Sequence, residues 1–216
     1  MTHERKLVVL DVDSTLTRDE GIDLLAHFVS EDVAAQVAAI TASAMRGELD
    51  FEESLKRRVA TLEGVSVEKV AAATAQVRLT EGAQELVSEL HSHGHIVGAV
   101  SGGFHHMIDP LAQELNLDFH RANVLEVREG HLTGKTVGKV IDAEAKAATL
   151  REWASANGIH MAQTVAVGDG GNDVEMLRAA GVGIAFMAKP VAKQAADVSI
   201  DVPDLRLVLD VVGLRG

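Results

Sequence analysis

Cysteine is absent from this 216-residue chain, which excludes disulfides, thiol nucleophiles and Cys-ligated zinc. Aromatic residues make up only 3%, too few for a surface that stacks single-stranded nucleic acid. A basic excess is also missing. Lysine and arginine number 20 against 32 aspartates and glutamates, a formal net charge of −12 that speaks against polyanionic partners. The same acidity sets a condition on any phosphate-ester substrate, because the site must reverse the field locally with a metal or basic residues. No apolar run is long enough to span a bilayer, and no repeat, heptad run or low-complexity tract is present. Met1–Lys6 leads into only four apolar residues, fewer than a signal-peptide core needs, so a soluble cytoplasmic protein is expected.

Hydrophobic residues reach 47%, enough for one generous domain or a core with a modest insertion. Leu7-Val8-Val9-Leu10 runs straight into Asp11-Val12-Asp13-Ser14-Thr15-Leu16-Thr17. A short, wholly apolar run reads as a strand buried on both faces, as in a parallel sheet. Two carboxylates cannot lie inside such a strand, because unpaired buried charge is too costly. They belong where the strand ends and opens into a crevice, the edge at which open α/β sheets bind ligands. From this stretch alone two readings are open: a ligand site, or Asp13 and Ser14 capping a helix.

From Asp19 to about Ala75 only helical periodicity follows. Apolar faces are predicted from Ile22, Leu25, Ala26 and Val29, from Val33, Val37 and Ile40, from Phe51, Leu55, Val59 and Leu62, and from Val67, Val70 and Ala71. Four short helices after one strand read as a helical insertion placed to cover the aspartates. Alternation then begins. Helices are expected at 81–93, 104–115 (with Pro110 inside), 143–157 and from 174, 190 and 205. Strands are expected at 95–100, 163–167, 182–186 and 198–200, with a hairpin from 123–128 and 131–137 around Glu129-Gly130. The expected fold class is α/β, a doubly wound parallel sheet with right-handed crossovers.

Three predicted strand ends carry polar loops: Asp11-Val12-Asp13, Ser101-Gly102-Gly103 and Gly168-Asp169-Gly170-Gly171-Asn172-Asp173. In a parallel sheet all three share one edge. Clustered carboxylates repel unless a cation binds among them, and oxygen donors without cysteine or histidine suit Mg²⁺ better than zinc.

In this order, Asp11-Val12-Asp13-Ser14-Thr15, Ser101-Gly102, Lys146 and Gly168–Asp173 resemble the four motifs of the haloacid dehalogenase superfamily. Glu20, Met45-Arg46-Gly47, Phe51-Glu52-Glu53-Ser54-Leu55 with Arg58, Val100–Phe104 and Ala185–Pro190 are similar to the phosphoserine phosphatases within it. The resemblance covers nearly the whole chain. It implies a Rossmann-like core at 1–17 and 78–216 with a small helical-bundle cap inserted at 18–77. It also implies Mg²⁺-dependent hydrolysis of O-phospho-L-serine to L-serine and phosphate, the last step of serine synthesis. Asp11 is then the nucleophile and Asp13 the acid and base. Asp11, Asp169 and the Asp13 carbonyl hold the metal; Ser101, Gly102, Lys146 and Asn172 hold the phosphoryl group, and Asp173 supports the site. Glu20 and Arg58 suit the ammonium and carboxylate of an amino acid, the latter by a bidentate fork, and the resemblance sets Met45 and Phe51 over the substrate.

Without motif order Lys146, in Asp142-Ala143-Glu144-Ala145-Lys146-Ala147, reads as a solvated lysine on an Ala-rich helix. Gly130–Thr136 nearly spells a P-loop but has three residues between its glycines where four are needed, and it lies in a hairpin. His91, His93 and His95 read as a helix end and a Gly turn, and His105-His106 as no metal site. Alternatives to the hydrolase are a phosphatase or phosphotransferase for another small phosphomonoester, and a phospho-receiver domain. The aspartate two positions after Asp11 and the helical insertion favour turnover. The oligomeric state, monomer or homodimer, stays open.

Overall fold

The protein is described by a computed structural model over residues 4–214. Met1–His3, on which part of the leader expectation rests, lie outside the described residues. The apolar run forms strand β1 (Leu7–Leu10), every residue of it buried. Alternation of side chains divides it: Val8 and Leu10 join one apolar cluster, Leu7 and Val9 another on the opposite face. β1 is therefore covered on both sides, as its unbroken hydrophobicity demands.

Between β1 and the next strand lie four helices: α1 (Gly21–Val29), α2 (Glu31–Met45), α3 (Phe51–Ala60) and α4 (Val67–Thr74). Ser30, Asp50 and Ser66 cap the last three by accepting amide protons from Val33, Glu53 and Lys69. Their apolar stripes, including Leu25, Val37, Leu55, Val59 and Leu62, form a third cluster. On α4 the predicted face is rotated: Val70 is buried with Ala73 and Thr74, while Ala71 faces solvent. The chain enters and leaves this block side by side, with Thr17 bridged to Leu79 and Arg18 N–H donating to the Arg78 carbonyl at 2.9 Å.

The alternating part follows with α5 (Ala83–Ser92), β2 (Ile96–Phe104), α6 (His105–Leu115), β3 (Phe119–Arg128) and β4 (His131–Val137). Then come α7 (Ala143–Ala156), β5 (Thr164–Gly168), α8 (Val174–Ala179) and β6 (Val182–Phe186). α9 (Pro190–Ala195), β7 (Val198–Ile200) and α10 (Val208–Val212) complete the chain, α10 preceded by a tight turn at Leu205–Leu207 where a helix start was expected. The sheet order is β4-β3-β2-β1-β5-β6-β7, parallel throughout except for the β3–β4 hairpin.

Two strands are longer than predicted. β2 runs on through Ser101-Gly102-Gly103 to Phe104, with its register against β3 broken between Val100 and Phe104. Those glycines are thus an irregular extension of the strand, not a loop beyond it. β3 begins at Phe119, pairing with β2 before its outer half turns to β4 through Glu129 and Gly130, both at positive φ. The hairpin also reaches the helical block: Gly64 and Val67 donate to the carbonyls of Leu132 and Gly130, and Leu132 donates to that of Val65.

Gly98 in β2 is required by packing. A Cβ there would lie 2.7 Å from the ring of Trp153, the only tryptophan. Gly98→Ala is expected to lower unfolding free energy by about 1–3 kcal/mol in urea titration, with Trp153 fluorescence reporting the transition. Among the described residues no helix is long and apolar enough to cross a membrane.

Candidate active site

Asp11 follows β1 directly, its amide donating to the Val167 carbonyl of β5 at 2.8 Å. Val12–Leu16 then make one wide turn, with Ser14 at φ 59°. Asp169 follows β5, so the first and third predicted loops meet at one sheet edge. Between them comes Lys146 from α7, a helix begun by Asp142 accepting the Ala145 amide.

The solvated reading of Lys146 does not hold, since its side chain is 0% exposed. Its ammonium donates to Asp11 Oδ1 in a short contact and to Asp173 Oδ1 at 2.7 Å. Asp173 Oδ2 accepts the amides of Asp169 and Gly170, each at 3.0 Å, so this carboxylate is engaged on both oxygens. A Cβ on Gly168 would lie 2.5 Å from the Asp173 carboxyl carbon, which explains glycine there.

Burial raises the Asp11 carboxyl well above its ordinary range. Asp173 adds to the rise, and Lys146 opposes it. Burial, then Glu20, pushes Asp13 up to about 6, and burial, then Asp173, does the same for Asp169. Burial alone would lower the Lys146 ammonium, but Asp11 and Asp173 more than reverse this and raise it.

Asp11, Asp169 and Asp173 are all buried, with oxygens within 4.8 Å of one another. Carboxylates outnumber the single buried ammonium, and every donor is oxygen, so the set fits a hard metal cation. With both Asp173 oxygens taken, Asp11 and Asp169 are the side chains left to hold it.

Asp13 Oδ1 accepts the Gly21 amide at 2.7 Å, and Oδ2 accepts from the Ser101 hydroxyl at 3.2 Å. Ser101 Oγ in turn accepts the Gly103 amide at 2.8 Å. A cavity of about 470 Å³ opens above, walled by Asp11, Asp13, Gly102, Asp169 and Asn172 on the sheet side. Glu20, Met45, Phe51 and Arg58 wall it from the helical block. Ser101, Lys146 and Asp173 lie behind the wall. Met45 is 69% exposed and stands at the rim. Arg58 Nε donates to the Ser54 carbonyl at 3.3 Å; burial lowers its pKa, against the pull of Asp23, Glu20 and Asp13.

Three contributors have no role in the sequence reading, although Ser54 and Lys189 lie within stretches that carry the resemblance. Asn123, buried in β3, donates to the Gly102 carbonyl and accepts the Ile141 amide, both at 2.8 Å, tying the Ser101-Gly102 segment to the chain leading into α7. The signal available was an asparagine in a strand, where it is disfavoured. Lys189 lines the cavity and pulls the Asp169 carboxyl down against the larger effects of burial and Asp173. Ser54 also lines it, with a buried hydroxyl that has no partner among the described residues.

A second cluster joins His105 and His120 to Asp109 Oδ1 at 2.8 and 2.9 Å. His105 Nε2 accepts the Ala122 amide, so its proton is on Nδ1, the atom that would have to bind a metal.

The site thus sets a buried aspartate, directly after a central parallel strand, beside a lysine and a second acidic loop. The chain belongs to the haloacid dehalogenase-like hydrolases, whose family model matches residues 8–178. It is 51% identical to a phosphoserine phosphatase of Streptomyces coelicolor, over 97% of this chain but only 51% of that protein, so it spans about half of that relative. Against the phosphoserine phosphatase of Streptococcus thermophilus it is 47% identical over 98% of both chains. A solved structure described as the phospho-aspartyl intermediate analogue of phosphoserine phosphatase superposes with a TM-score of 0.90 at 43% identity, over 96% of this chain and 99% of that one. Within the hydrolases, its family is therefore that of the phosphoserine phosphatases.

Proposed function

We propose that this chain hydrolyses O-phospho-L-serine to L-serine and phosphate, with Mg²⁺ as cofactor, as the last step of serine synthesis in the cytoplasm. The observation that carries this is one cavity lined by Asp11, Asp13 and Asp169, with the Lys146–Asp173 pair directly behind Asp11, and by Glu20 and Arg58 from the helical block.

Asp11 attacks phosphorus, and the bond to the ester oxygen breaks as Asp13 gives that oxygen a proton, releasing serine. Asp13 then takes a proton from water as the water attacks the aspartyl phosphate, which frees phosphate and restores Asp11. Lys146, Ser101, the Gly102 amide and Asn172 hold the phosphoryl oxygens on which negative charge concentrates. Asp11, Asp169 and the Asp13 carbonyl would hold Mg²⁺, which would supply the positive charge that lets an anionic nucleophile approach an anionic ester. Asp173 holds Lys146 and the 169–170 backbone in place. Residues 18–77 act as a cap that excludes bulk water and opens for product release.

Phosphate release from phosphoserine, phosphothreonine and sugar phosphates, with Mg²⁺ or with chelator, tests the reading. Mg²⁺-dependent turnover highest on phosphoserine is expected; stronger turnover on a sugar phosphate would refute it. Adding alcohols as acceptors separates hydrolase from phosphotransferase. Arg58→Ala should lower kcat/KM for phosphoserine at least about tenfold more than for an aryl phosphate, because the guanidinium grips a remote group. Equal losses would remove the carboxylate clamp.

A further inference from the structure

The turn between Asp13 and α1 contains a residue to which none of these roles falls. Ser14 sits at φ 59°, in the left-handed region that suits glycine and strains a residue with a Cβ. Its hydroxyl donates to Glu20 Oε1 at 2.6 Å. One residue on, the Gly21 amide donates to Asp13 Oδ1. Neighbouring residues of the strand-end turn are thus each joined to the start of the first helix.

Glu20 needs holding. It reaches the cavity among other carboxylates, and its charge acts repulsively on Asp13, Asp23 and Asp169. A glutamate has three side-chain torsions, so repulsion alone would turn it toward solvent. The Ser14 hydroxyl, although it does not itself line the cavity, opposes this by tying Oε1 to the strand-end turn. It occupies one lone pair of Oε1 and leaves the remaining acceptor positions of Glu20 free.

We propose that Ser14 is a positioning residue for amino-acid recognition, its hydroxyl fixing the Glu20 carboxylate to accept the ammonium group of the phosphorylated amino acid. This rests on the reading of Glu20 as the ammonium acceptor. Backbone geometry alone would favour glycine at this position, so the side chain is retained for what its oxygen does. Fixing Glu20 before substrate arrives lowers the ordering cost of binding, and the effect belongs in KM more than in kcat.

Two variants separate hydroxyl from backbone: Ser14→Gly removes the hydroxyl and relieves the turn, and Ser14→Ala removes the hydroxyl alone. Both are assayed on O-phospho-L-serine and on 3-phosphooxypropionate, the same molecule with hydrogen in place of the ammonium group. In both variants KM for phosphoserine is expected to rise about tenfold more than KM for 3-phosphooxypropionate, with kcat on phosphoserine moving less than KM. Ser14→Gly should melt at or above the temperature of the unsubstituted protein, which a purely structural serine would not allow. Equal losses on both substrates would overturn the proposal by placing the hydroxyl at the phosphoryl end. A specificity loss in one variant only would overturn it in favour of backbone shape. An unsubstituted enzyme indifferent to the ammonium group would instead remove the assignment of Glu20, and Ser14 with it.

Discussion

Asp11→Asn is expected to lower phosphate release from phosphoserine by at least about 10⁴-fold, because the amide cannot form the covalent phosphoenzyme. The side chains are nearly the same size, and Asp11 is 3% exposed, so little packing is disturbed. Lys146 loses one of its two anionic partners but keeps Asp173 at 2.7 Å. Thermal unfolding should therefore shift modestly while turnover vanishes. The measurement is steady-state phosphate release, with acid-quenched trapping of labelled phosphoenzyme. A variant that keeps more than about a hundredth of the activity, or still traps label, would show that the nucleophile is another group.

Lys146→Met should show the largest loss of stability. The methionine fills comparable volume but leaves Asp11 and Asp173 buried and facing each other without the cation between them. Breaking a buried ion pair by removing one partner costs about 3–5 kcal/mol, read here from urea unfolding in chelator. The deficit should depend on pH. Burial and then Asp173 already hold the Asp11 carboxyl above its unfolded value, and Lys146 is a group that pulls it down. Without Lys146 the folded-state value rises further, so the native state binds its proton more tightly than the unfolded chain does. Stability from such a group is present at low pH and lost as pH rises. The gap to the unsubstituted protein should narrow from pH 8 to pH 5. A deficit that is constant or widens toward pH 5 would contradict this account of the cluster.

Local signals in the sequence were enough to read the strand-end carboxylates. The change from four apolar residues to Asp11 and Asp13 is written within one short stretch, as is the run from Gly168 to Asp173. Lys146 carried no such signal, because an Ala-rich helix with one lysine looks the same on a surface as in a core; what decides is that Asp11 and Asp173 arrive from elsewhere. β3 was read short because Phe119-His120-Arg121 shows no apolar run, and its first half is held by β2 where its second half is held by β4. The slip on α4 from Ala71 to Ala73 reflects an alanine-rich helix whose faces differ little in hydrophobicity. Asn123 shows the remaining limit. Its residue type was a visible oddity, but its two hydrogen bonds go to segments that only the fold brings near.

The central position of β1 has a bearing on how the molecule comes into being. This strand precedes both of its partners in the chain: β2 lies near the middle and β5 in the last third of the 216 residues. One edge of these four apolar residues therefore waits for β2 and the other for β5, the situation in which nascent chains recruit chaperones or aggregate. Closing such long loops is entropically slow, so the sheet centre forms late in folding. The amide of Asp11 finds its acceptor only once Val167 has been made and β5 has docked. A product truncated before β5 would carry Asp11 but lack the strand whose carbonyl holds its amide at the sheet edge.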